Sequence, residues 1–180
     1  MTVIVEKLTD NNLMREMCES TMHYRLESKM TSLTMYNCEH SPIRAVLFTI
    51  KMEGIPSFVS VHLVRHNVGV QHFVQTMRSD RGAEDVADRN TPVNHTMIAN
   101  AQALINMARK RLCYKASDET REVFNLIVDA IARVDEDLPK FMEPECIYRG
   151  GFCHEPKCCG KVEGVKWVSS KSRSFVRYGS

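Results

Sequence analysis

At 180 residues, 43% apolar and 26% charged, the chain is long enough for one domain around a hydrophobic core and too ordinary in composition for a disordered or fibrous protein. A formal net charge of +2 excludes a whole-surface nucleic-acid binder, so any basic patch must be local. No apolar run is long enough to cross a bilayer and the opening MTVIVEKLTD lacks a signal peptide's apolar centre, so a soluble cytoplasmic protein with no membrane partner is expected.

Leu13, Met14, Met17, Met22 and Leu26 recur at helical spacing, which predicts an amphipathic helix from Leu13 to Met30, capped by Asp10 or Asn11. The run IRAVLFTIKME predicts a strand of about eight residues ended by Gly54. In IPSFVSVHLVRH the valines favour a strand, but Pro56 suits the first turn of a helix, and helix is the reading taken. Residues 79–92, polar and punctuated by Gly and Pro, predict a loop.

A long helix is predicted from Val93 to Lys115, burying Met97, Ile98, Ala101, Leu104, Ile105, Ala108 and Leu112. A second runs from a cap at Ser117 or Asp118 to Val134, ahead of Pro139 and Pro144. Residues 1–160 then make one α/β domain, and 161–180 is a basic tail expected to be poorly ordered.

The chemistry concentrates in LVRHNVGVQHFVQTMRSDR, residues 63–81, where Arg65, His66, Gln71, His72, Gln75, Arg78 and Arg81 crowd together. A packed core has no use for so many polar groups, so they face water or grip an anion. An Arg-His pair alone also suits a salt bridge at the edge of a core. In NAQALINMARKR, helical geometry sets Asn106 about 120° from Asn100, and Arg111 about 140° further on. A helix polar on several sides is either solvated or shared between the sites of two subunits.

HSPIRAVLFTIKMEGIPSFVSVHLVRHN, then NAQALINMARKR and ASDETR, resemble in order the segments of the flavin-dependent thymidylate synthase family, ThyX, over residues 38–121. In that family an apolar element ends in Arg-His-Arg, an Asn-x-Arg-Ser-Leu-x-Asn helix follows, and Ala-Gln-x-Glu-x-Arg comes after it; Glu119 and Arg121 fit the last as structural residues. The resemblance implies an α+β fold with an antiparallel sheet and long helices, assembled as a homotetramer. It implies reductive methylation of a pyrimidine deoxynucleotide, dUMP, at C5, with FAD as cofactor and NADPH and methylenetetrahydrofolate as co-substrates.

The resemblance also implies flavin contacts for Ser41, Arg65, His66, Asn67, Asn100, Gln102 and Asn106. It implies nucleotide contacts for His62, Arg65, Gln75, Arg78 and Arg89, and a catalytic Arg111 that polarises the uracil ring. Asn67 and Gln102 stand where the family has arginine, and His62 where it has glutamine. Val70, His72, Phe73, Gln75 and Met77 fall in a stretch that in the family reads Ser-x-Asn-Glu-x-Ser-x-Arg, with Arg78 one place late. These departures leave open another acceptor or a hydroxymethyl product, and a non-catalytic nucleotide-binding homologue.

Cys146, Cys153, Cys158 and Cys159, with His154 among them, can in principle supply a tetrahedral zinc site, but their spacing is not that of paired C-x-x-C ligands. Reduced cysteines or a redox pair are the stronger reading, and zinc the weaker. The basic tail is read as a solvated end, without nucleic-acid binding.

Overall fold

The structure, a computed structural model, describes residues 1–23, 30–83 and 88–168. Its frame is an antiparallel sheet of four strands: β1 Thr2–Lys7, β2 Leu47–Pro56, β3 Val70–Val74 and β4 Pro92–Asn100, in the order β1-β2-β4-β3. Alternation builds it: Phe48, Ile50 and Met52 of β2 and Val93, His95, Met97 and Ala99 of β4 all point into the core, as period-two strands with one covered face require. That face is covered by α3 Ser57–Val64, α4 Ala101–Arg111 and α5 Asp118–Ala132, whose Leu63, Leu104, Ile105, Phe124 and Ile127 complete the core. Among the described residues nothing covers the opposite face, where Ile4 is 54% and Phe73 56% exposed.

Shorter elements close the edges: α1 Asn11–Glu19, α2 Ser32–Asn37, a 3-10 turn at Ser41–Ala45, α6 Glu145–Tyr148, and β5 Phe152–Cys153 paired in parallel with β6 Lys166–Trp167. The last strand lies in the segment expected to be a tail; residues 169–180 are outside the described residues. No helix among the described residues is long and apolar enough to cross a membrane.

Three sequence expectations give way. The long helix from Val93 is instead a strand followed by a helix, because residues 92–100 alternate inward and outward and pair on both edges, with β2 and β3. Gly54 does not end its strand: at φ +68° it forms a bulge across which the register with β4 shifts between Met52 and Ile55, and β2 continues to Pro56. The helix starting near Leu13 stops at Glu19 under its Asp10 cap, Met22 and Met30 pack on the core from outside it, and Leu26 lies outside the described residues. β1 and β3 were not expected at all. The helices at Ser57 and at Asp118, the latter capped by Ser117, are as expected.

One buried carboxylate ties the periphery to the frame. Asp135, 6% exposed, accepts hydrogen bonds from Lys7 Nζ at 2.7 Å, Tyr36 Oη at 2.8 Å and the backbone N–H groups of Asp137 and Leu138 at 3.1 and 3.0 Å. Burial and the neighbouring carboxylate push the Tyr36 phenol well above its ordinary range, so it stays a donor. Removing the carboxylate leaves the buried Tyr36 phenol without its acceptor and the Lys7 ammonium with Asn11 Oδ1 but no counter-charge. Asp135→Ala is therefore expected to lower the unfolding free energy by about 3 kcal/mol in urea titration, far more than loss of the exposed Arg78–Asp80 pair.

Candidate functional site

The site begins where β4 becomes α4. Asn100 leaves the strand in an extended conformation and its side-chain oxygen accepts from Ala103 N–H at 2.8 Å, capping the helix; its own N–H donates to Gly69 O at 3.0 Å. Gly69 holds φ +74°, and a Cβ there would lie 2.5 Å from Asn100 Nδ2, so both backbone conformation and space demand glycine. Helix α4 then runs back to the end of α3, where Arg111 Nε donates to His66 Nε2 at 2.9 Å and Arg111 Nη2 donates to His62 O at 2.6 Å. A turn fixed at Asn100 thus places an arginine against the Arg65-His66 corner.

Histidines line this corner. His72 Nε2 is 2.8 Å from His66 O, His72 Nδ1 is 2.9 Å from His95 Nε2, and His95 Nδ1 is 3.0 Å from Ser60 Oγ. Because a carbonyl can only accept, neutral rings allow one direction: Ser60 donates to His95, His95 to His72, and His72 to the His66 carbonyl. Separately, His62 Nδ1 lies 2.9 Å from Thr120 Oγ1, which is 2.9 Å from Ser117 Oγ in the α5 cap.

The electrostatics are cationic and self-consistent. Burial, then Arg111, then His72 and Lys110, hold His66 down to about 4, so its ring is neutral and Nε2 is free to accept from Arg111. Burial and then Arg111, Arg65 and Arg89 lower His62, in keeping with the Arg111 bond to its carbonyl and with Arg89 over Phe58, whose ring meets the His62 ring edge-on at 5.6 Å. Burial and Arg65 lower Arg111. None of these three arginines has a carboxylate partner among the described residues. Beside them a cavity of about 160 Å³ is lined by Arg65, His66, Asn67, Val68, Ala103 and Asn106.

The structure therefore brings together His62, Arg65, His66, Asn67, Asn106, Arg111 and, stacked over Phe58 at 4.6 Å, Arg89. The others are engaged elsewhere. Asn100 is the α4 cap rather than a helical residue, and Gln102 donates to Glu39, which also pairs with Arg109. Ser41 is exposed at the start of its 3-10 turn. Gln75 Oε1 accepts from Asn94 N–H at 2.9 Å, and Arg78 forks onto Asp80 at 2.8 and 2.6 Å, both at the far end of β3.

Sequence reasoning missed Ser60, His95 and Thr120, and singled out His72 only as one of the polar groups crowded in residues 63–81 and as a departure from the family. The signal for His95 was the alternation of VNHTMIA: taken as a strand beside β3, it sets His95 and His72 as diagonal neighbours on one face.

No protein-family model matches the chain, and no curated protein matches it in sequence. Solved structures do match. Thymidylate synthase X (ThyX) from Helicobacter pylori, crystallised with FAD and dUMP, superposes with a TM-score of 0.63 at 12% identity over 79% of this chain and 99% of its own. A second structure, flavin-dependent thymidylate synthase ThyX from Helicobacter pylori complexed with FAD and dUMP, gives 0.63 and 12% over 79% of this chain and 100% of its own. The fold is thus ThyX-like, as the motifs led one to expect.

Two outcomes test this geometry. Gly69→Ala should cost about 2 kcal/mol of stability, and its cost combined with Asn100→Ala in a double-mutant cycle should fall short of the sum, because both changes remove one and the same cap. Stability should also fall as the medium is acidified. His95, fully buried and lowered from 6.5 to about 4 by burial and His72, binds fewer protons folded than unfolded, so between those pH values unfolding takes up a proton. The slope from this one group is up to about 1.4 kcal/mol per pH unit, steepest between pH 6.5 and 4, and His95→Gln should flatten it in urea titrations across that range.

Proposed function

We propose that the chain binds FAD and a pyrimidine deoxynucleotide, dUMP in the first instance, and methylates the base at C5 with NADPH and methylenetetrahydrofolate as co-substrates. The observation that carries this reading is the convergence of Arg65, Arg89 and Arg111, without carboxylate partners among the described residues, on one corner of a ThyX-like fold. Cations left unpaired side by side repel, and an anionic ligand relieves that repulsion.

The residues present fit such ligands. Arg111 uses two of its five donors on His66 and His62, which fixes the plane of the guanidinium and leaves the other three for an acceptor. In the proposed site Arg111 stabilises negative charge developing on the uracil carbonyl, while Arg65 and Arg89 hold the phosphate. Neutral His66 keeps Arg111 oriented without competing with it for charge. Asn67 and Asn106, with Arg65, line the cavity taken as the flavin side; Asn100 and Gln102 touch its lining residues Ala103 and Asn106, and Ser41, Gln75 and Arg78 are given no role. When bound, reduced FAD supplies the hydride and the folate supplies the carbon. The bare sheet face with Ile4 and Phe73 supports self-association as a homotetramer.

The purified protein should be yellow and release FAD. Arg65→Ala and Asn106→Ala should strip the flavin, whereas Arg111→Lys should keep it and lose about a hundredfold in dUMP turnover, since an ammonium cannot reproduce the oriented fork. A colourless protein that also fails to take up added FAD would overturn the reading.

His72 favours a second reading, because it falls in the stretch where the family carries a glutamate and a serine for the nucleotide and is here tied up with His95 and the His66 carbonyl. The fold and flavin are then kept with another acceptor or a hydroxymethyl product, or the nucleotide is bound without catalysis. Product masses from dUMP and dCMP separate these outcomes.

A further inference from the structure

A second chemical cluster lies beyond the C-terminus of α4, apart from the arginine and histidine corner. Cys113 follows α4, Cys146 sits in α6, Cys153 in β5, and Cys158 and Cys159 in the segment after it; all five line a single cavity of about 150 Å³. All are free thiols, and among the described residues no three His, Cys, Asp or Glu side chains are arranged to hold a metal ion. Five thiols in one cavity without metal geometry call for a different chemistry.

Two of the five are matched. Cys153 and Cys158 line the cavity from the two ends of a four-residue link, each thiol shifts the other's titration, and their surroundings differ in the sense that thiol–disulfide chemistry uses. Cys153 is 6% exposed, and burial pushes its thiol up. Cys158 is more open, and the Gly160 backbone N–H, with the Cys153 and Cys159 thiols, holds its thiol below the ordinary range. Their backbone is tethered: Val168 N–H donates to Cys153 O at 2.9 Å, and Trp167 Nε1 donates to Glu155 O at 2.9 Å, inside the link between the two cysteines. The first half of the short link is therefore fixed against β6, and Cys158 lies only three positions beyond that fixed point at Glu155.

We propose that Cys158 and Cys153 form a redox-active dithiol that reacts with low-molecular-weight disulfides, Cys158 as the attacking thiolate and Cys153 as the resolving thiol. Lys110, Lys115 and Arg149 outnumber Glu145 and Glu155 in the cavity lining, which suits a disulfide bearing carboxylates, such as glutathione disulfide. The Cys158 thiolate attacks one sulfur and expels the other half as a thiolate, which takes up the proton Cys158 has lost. Cys153 gives up its proton and attacks Cys158 Sγ, forming the Cys153–Cys158 bond and releasing the second half as a thiol. Two protein thiols lose two electrons, and one disulfide becomes two thiols.

The test is to treat the full chain with glutathione disulfide, alkylate the remaining thiols in acid, and map the products by mass spectrometry. The wild type should lose two hydrogens, carry a Cys153–Cys158 cross-link and retain no glutathione. Cys153→Ser and Cys153→Ala should each trap one glutathione on Cys158, removable by dithiothreitol. Cys158→Ser should form neither product, and Cys159→Ser should behave as the wild type. A bridge through Cys113, Cys146 or Cys159, glutathione retained by the wild type as by Cys153→Ser, or stoichiometric zinc that shields the thiols in the purified protein would each overturn the proposal.

Discussion

The turn at Asn100 is the constraint on which the rest of the molecule depends. Four segments meet there: β4 ends, α4 begins under the Asn100 cap, the loop before β3 is held through Gly69 O, and Ala101 N–H donates to Val46 O at the entry to β2. A strand paired on both edges cannot slide, because a shift by one residue would turn Val93, Met97 and Ala99 outward and their polar neighbours inward. The direction of α4 is therefore set by the sheet. An eleven-residue helix extends about 16 Å, and that length carries Arg111 from the sheet edge to the corner of α3.

Two treatments of buried charge divide the structure. Asp135 is saturated, with a lysine, a phenol and two backbone N–H groups on one carboxylate, and it fastens β1, α2 and the end of α5 together. Such a group contributes rigidity and has nothing left for a ligand. At the other corner Arg65, Arg89 and Arg111 have no carboxylate partner among the described residues, and burial with the neighbouring guanidinium groups lowers both His62 and His66. The neutral His66 imidazole matters as an acceptor: with the His62 carbonyl it orients Arg111 without supplying a counter-charge. The opposite face of α4 shows the contrast, where Arg109 pairs with Glu39 and stacks on Tyr148 at 3.4 Å.

The histidine chain couples this corner to the core. Ser60 on α3, His95 on β4 and His72 on β3 are joined by hydrogen bonds that end on the His66 carbonyl, so the backbone that presents Arg65 and His66 is held from three elements. Each ring nitrogen of His72 and His95 and the Ser60 hydroxyl has a partner, which is what lets His95 be fully buried in a largely apolar core.

By itself the sequence determined what depends on neighbours in the chain. The caps at Asp10 and Ser117, the 3.6-residue stripe of α5 and the Arg65-His66 corner after an apolar segment are local properties, and they appear where expected. The ordered motifs likewise pointed to the fold. Tertiary structure alone decided the rest. Val93–Asn100 carries enough apolar residues to satisfy a helix, and it is a strand because β2 and β3 offer hydrogen bonds on both its edges. Gly54 looks like a stop and is a bulge, since β4 continues opposite it. The roles of the polar residues were decided in the same way: Asn100, Gln102 and Arg78 are drawn off by Ala103, Glu39 and Asp80, while Arg65, His66 and Arg111 are brought together. A side chain's chemistry is written in its residue type, but whether it caps, pairs or stays available depends on which distant group the fold sets within reach.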